Sequence, residues 1–107
     1  MEKSDYEPNQ RAHYRLQYPL RERPLLVVGT SQYAVIELSE GGLRVQGNVS
    51  SEEIDGLLKL KDGTVCEVTG KVGRKLRDET VVINLEGVSF AVLMSEQRRL
   101  VSRYLRA

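Results

Sequence analysis

Apolar positions in this chain come in short runs with a two-residue period, and glycine, proline or Asp-Gly fills the gaps between them. The cleanest run covers residues 65–72. There Cys66, Val68, Gly70 and Val72 share one face, while Glu67, Thr69 and Lys71 share the other. That alternation predicts a half-buried antiparallel strand. A second run, over 33–38, places Tyr33, Val35 and Glu37 on one face and Ala34, Ile36 and Leu38 on the other. Gly41-Gly42 breaks it, and residues 43–46 resume it with Leu43 and Val45 together, so the two runs read as a hairpin. Residues 25–28, 57–60, 80–85 and 89–93 predict further strands, with Pro19 and Pro24 confining the first apolar stretch to an edge or a bulge. Turns are expected at Gly29-Thr30-Ser31, at Asp62-Gly63, over the basic stretch 73–78 and at Gly87. Residues 47–55 read as a loop in which Ser50 or Ser51 starts a short helical turn.

The period changes near the C-terminus. Ser95-Glu96-Gln97 has the composition of a helix start, and Leu100, Val101, Tyr104 and Leu105 fall on one face of the helix that follows. Six or so short strands, glycine-rich turns and one terminal helix predict an all-β fold, a small barrel with the helix packing its apolar stripe against it.

The length of 107 residues fits one domain. Residues 1–10 are polar and aperiodic and read as a flexible N-terminal arm, leaving 11–107 for the folded unit. The net charge of +1 provides no global field to draw in nucleic acid or an anionic membrane, so anion binding has to come from local clusters. Cys66 is the only cysteine, which rules out an internal disulfide and predicts a buried thiol. Neither a signal peptide nor an apolar run of membrane-spanning length is visible, so a cytoplasmic location is expected, with no membrane insertion. His13 has no acid or cysteine nearby in sequence that would make a triad or a metal site. With no nucleophile–base pair visible, an enzyme is not expected, nor is a cofactor.

Two short elements carry candidate chemistry. Arg11-Ala12-His13-Tyr14-Arg15 places two arginines where the arm meets the first strand. Each planar guanidinium matches a phosphate, or the O6/N7 acceptor pair of guanine, with two parallel hydrogen bonds. Glu37-Leu38-Ser39-Glu40-Gly41-Gly42 places a carboxylate and a hydroxyl on one strand face beside a glycine turn. The carboxylate can accept from guanine's donor edge, the hydroxyl can donate or accept, and Gly42 allows an approach that a side chain would block. Tyr14 and Tyr18 read as barrel packing, Arg44 as an exposed strand charge, and the basic turn at 73–77 as a solvated hairpin tip.

In order and spacing, Gln10-Arg11-Ala12-His13-Tyr14-Arg15-Leu16 followed by Val35-Ile36-Glu37-Leu38-Ser39-Glu40-Gly41-Gly42-Leu43-Arg44-Val45 resembles the two-part signature of PilZ domains. The resemblance runs over roughly residues 10 to 105. It implies a six-stranded antiparallel β-barrel with a C-terminal α-helix, and binding of cyclic di-GMP, a bacterial second messenger. By the same resemblance, Arg11 and Arg15 would hold phosphate and guanine groups, while Ser39 and Gly42 would contact guanine from the barrel surface. Glu37 stands where the family usually has Asp or Asn, a departure of one methylene. A stand-alone receptor of this kind passes its signal to a partner protein by ordering its arm. The alternatives are a PilZ-like adaptor that binds no nucleotide, which Glu37 favours, and a small nucleic-acid-binding barrel, which the near-neutral charge and the lack of interleaved aromatics disfavour.

Overall fold

The computed structural model describes residues 15–105, with the side chains of the last two left aside. Seven strands form one sheet: β1 (Leu16–Gln17), β2 (Leu25–Val28), β3 (Ser31–Ser39), β4 (Gly42–Gln46), β5 (Glu53–Lys59), β6 (Val65–Lys75) and β7 (Thr80–Glu86). A 3-10 turn at Leu20–Glu22 precedes β2, and the helix α1 (Phe90–Leu105) follows β7. The order is β1-β3-β2-β5-β6-β7-β4, every pairing is antiparallel, and β4 returns to pair with β3. That last pairing closes β2 to β7 into the six-stranded antiparallel barrel the pattern predicted, with β1 added outside the ring beside β3. Closure leaves the ring without a free edge.

Inward positions form one apolar core. Leu26, Val35, Leu38, Val45, Leu58 and Ile83 are fully buried, and Leu93 and Leu100 of α1 belong to the same cluster. The alternation predicted for β6 holds: Val68 is buried, Cys66, Gly70 and Val72 are partly buried, and Glu67, Thr69 and Lys71 are exposed. The Cys66 thiol is half-buried, and burial pushes its pKa up.

Several boundaries differ from the sequence pattern. In β3 a bulge between Val35 and Glu37 shifts the pairing with β4 by one residue. The inserted residue breaks strict alternation. Val35 and Leu38, predicted on opposite faces, are both fully buried, while Glu37 and Ser39 flank Leu38 on the outer side. β5 starts at Glu53 and carries Ile54 into the core, so the predicted loop is shorter and contains no helical turn. β6 continues to Lys75 through a second bulge between Val72 and Arg74, and the turn that follows narrows to residues 76–79.

The largest correction is at the C-terminus. Residues 89–93 are not a strand, because α1 begins at Phe90, five residues before the predicted start at Ser95. Ser89 is the cap: its Oγ accepts the Val92 N–H at 3.2 Å. The helix therefore buries Leu93, Glu96 and Leu100, at i, i+3 and i+7, and leaves Val101 46% exposed rather than on the packed stripe.

Glu96 is 1% exposed, and a carboxylate at that depth requires partners. The Tyr18 hydroxyl donates to Glu96 Oε1 at 2.7 Å, and Arg99 Nε donates to Glu96 Oε2 at 3.0 Å. Arg99 Nη1 also pairs with Glu22 at 2.6 Å, and Arg103 Nε pairs with the other Glu22 oxygen at 2.7 Å. These bonds fasten α1 to the 3-10 turn and to the segment after β1. Tyr18 is the packing residue expected of it, and burial followed by its bond to Glu96 pushes the phenol pKa far upward. The hydrogen bonds to Glu96 and then to Glu22 raise the Arg99 pKa in spite of desolvation.

Candidate functional site

The strand registers set two outward rows side by side across the barrel wall. One runs Gln17, Glu37, Arg44, Val82, Arg74 over β1, β3, β4, β7 and β6. The other runs Ser39, Gly42, Asn84, Lys71 over β3, β4, β7 and β6. Between and around them lies a groove of about 400 Å³, lined among others by Arg15, Glu37, Ser39, Gly42, Arg44 and Arg74. Arg15, Glu37, Ser39 and Gly42 are thus brought to one surface by β1, β3 and β4. Arg11 lies outside the described residues.

Each side chain has a definite state. Glu37 and Arg44 are register partners on β3 and β4, and their carboxylate and guanidinium meet at 3.1 Å. Arg44 Nη2 makes its ion pair with Glu37 Oε2, and Gln17 Nε2 donates to that same oxygen at 3.2 Å. Oε1 has no hydrogen-bond partner among the described residues. Glu37 is therefore anchored through one oxygen, Oε2. Arg44 also reaches Asp78 Oδ2 at 3.4 Å, while its Nε is buried without a partner among the described residues. Asp78 accepts the Thr80 hydroxyl at 2.6 Å, and that bond, with the Thr80 N–H and the Arg44 charge, holds its carboxyl below its ordinary pKa.

The Ser39 hydroxyl donates to the Gly42 carbonyl at 3.1 Å, across the turn that joins β3 to β4. With its proton so committed, its lone pairs are what it presents outward. Gly42 is buried, and a Cβ built on it would lie 2.6 Å from the Ile83 carbonyl oxygen. The glycine is therefore dictated by the close approach of β4 to β7, whatever the groove holds.

Sequence reasoning treated two groove residues differently. Arg44 was expected to be an exposed strand charge and is instead ion-paired on both sides. Arg74 was expected at a solvated hairpin tip, yet it lies on β6 just after the Gly73 bulge and lines the groove. Two-residue alternation continued from Val72 would put Arg74 on the inner face; the bulge at Gly73 turns it to the outer one, and no local signal marks that change. Among the described residues no group of His, Cys, Asp and Glu side chains is arranged to hold a metal ion, and no helix is long and apolar enough to cross a membrane.

Comparison with known proteins gives one result and two blanks. No curated protein and no solved structure matches the chain. The family model for the PilZ domain matches residues 9–107, which takes in both motifs, the whole barrel and the helix. A closed six-stranded antiparallel barrel and a C-terminal helix agree with that match, and the chain belongs to the PilZ domain family.

Proposed function

We propose that this protein is a cyclic di-GMP receptor that binds the dinucleotide in the groove over β3 and β4 and relays the signal to a partner protein. The observation that carries the reading is the state of Glu37. One carboxylate oxygen is fixed by Arg44 and Gln17, the other has no hydrogen-bond partner among the described residues, and Glu37 lines the groove together with Arg15 and Ser39. Guanine presents two N–H donors along one edge, and a positioned carboxylate oxygen accepts from them. Ser39 offers lone pairs beside it. Arg15, which makes no ion pair or side-chain hydrogen bond among the described residues, supplies a fork for a phosphate or for guanine O6/N7. Arg11, outside the described residues, is the second arginine of this clamp.

The extra methylene of Glu37, relative to the Asp or Asn usual in the family, is used to reach Arg44 on the next strand. Signalling follows from ordering: the ligand draws the segment bearing Arg11 and Arg15 onto the barrel wall and so creates a new surface for a protein partner, in a cytoplasmic setting. The barrel is a binding scaffold in this scheme, with no catalytic step.

A second reading is a nucleotide-free adaptor, and the Glu37–Arg44 pair favours it, because a carboxylate already bonded to a guanidinium has one oxygen fewer for a ligand. An NMR titration separates the two. With cyclic di-GMP, the receptor reading predicts amide shifts concentrated at Ser39, Gly42 and Arg44; an unchanged spectrum with millimolar ligand assigns the protein to the adaptor class.

A further inference from the structure

The row that begins at Gln17 and Glu37 does not stop at the motif. It continues through Arg44 and Val82 to Arg74 on β6. From β3 to β6 there are three inter-strand steps, roughly 14 Å along the curved sheet at the usual strand spacing. Arg74 therefore stands on the flank of the groove opposite β1, where Arg15 stands.

The arginines lining this groove differ in their partners. Arg44 is held between Glu37 and Asp78. Arg15 and Arg74 make no ion pair and no side-chain hydrogen bond among the described residues. The absence is notable for Arg74, because the neighbouring hollow, which it also lines, contains Glu52 and Glu53, and neither pairs with it. Lys71 lines that hollow as well, so the Arg74 flank of the groove carries a second cation. The groove thus has a partnered carboxylate–guanidinium pair near its middle and, on each side, a guanidinium without a partner among the described residues.

We infer that Arg74 is a ligand-binding residue that grips the second half of the dinucleotide from the wall opposite Arg15. The inference rests on the reading of this groove as a cyclic di-GMP site. A ligand with two phosphates and two guanines presents two sets of acceptors. One guanidinium on each flank, with Glu37 between them for a donor edge, matches that distribution. The planar fork matters as well as the charge, since it meets a phosphate or the O6/N7 pair with two hydrogen bonds, which a lysine ammonium does not.

The test is calorimetric titration of the full chain with cyclic di-GMP for the wild type, Arg15→Ala, Arg74→Met and Arg74→Lys, with a thermal melt of each. Arg74→Met is expected to bind at least about fivefold more weakly, in line with the loss of one bidentate contact, with its melting midpoint unchanged because Arg74 holds no partner among the described residues. Arg74→Lys is expected to recover only part of the loss. If the wild type binds, Arg15→Ala weakens it, and Arg74→Met binds as the wild type does, the role of Arg74 is overturned while the receptor reading stands. If the wild type itself does not bind, the receptor reading fails and this inference falls with it.

Discussion

Glu37 and Arg44 face each other across β3 and β4, and their side chains meet at 3.1 Å through a single carboxylate oxygen. The bulge between Val35 and Glu37 makes this possible. It turns Leu38 inward with Val35 and leaves Glu37 outward, opposite Arg44. The departure from the shorter acid usual in the family is thus matched by a partner on the adjacent strand.

Shortening that side chain is informative. Glu37→Asp withdraws the carboxylate from Arg44 and from Gln17. The stability cost is expected to be small, up to about 1 kcal/mol, as for other partly exposed pairs. Affinity for cyclic di-GMP should fall about tenfold, the weight of one hydrogen bond to a charged group, because the carboxylate loses the anchors that position its acceptor oxygen. Calorimetry on the variant checks this, and tighter binding would mean that the longer acid is a handicap.

Gly42 should tolerate no side chain, for reasons of packing. Gly42→Ala puts a methyl group 2.6 Å from the Ile83 carbonyl oxygen, so β4 and β7 must separate locally. A loss of about 1–3 kcal/mol is expected, as for other overpacked sites. Denaturant unfolding measures it. Gly41→Ala is the control, since a Cβ there meets nothing within 4 Å.

Tyr18 gives the fold an alkaline limit. Burial and the bond to Glu96 raise its pKa above the ordinary value of 10.0. In the folded state the phenol keeps its proton while the unfolded chain releases it. The contribution is fully present below about pH 10 and is lost as the pH rises above that value. Tyr18→Phe should flatten this alkaline decline. At neutral pH it should cost about 1.5–3 kcal/mol, the range for a hydrogen bond to a charged group. Urea midpoints of both proteins between pH 7 and pH 11 check the sign and the size.

The strands were legible in the sequence because their period-two faces are also their buried faces, as Val68 and its neighbours on β6 show. The start of α1 was not. Ala91 to Met94 is an apolar run that fits a strand as well as a helix, and only the Ser89 cap and the burial of Leu93 and Glu96 decide it. Glu96 itself looked like a helix-start acid. Its burial depends on Tyr18, seventy-eight positions away, a contact with no local signature. In the groove, the closeness of Glu37, Ser39 and Gly42 was readable because they lie along one hairpin, β3–β4. Arg74 was hidden because it reaches the same groove through two further strand pairings and a bulge.

The central claim is that this barrel binds cyclic di-GMP between Arg15 and the Glu37–Gly42 element. Calorimetric titration of the wild-type protein with the dinucleotide tests it most directly. A saturable heat with a Kd in the micromolar range, about −8 kcal/mol, abolished or weakened at least about tenfold by Arg15→Ala, is the predicted result. No heat at millimolar ligand would contradict it.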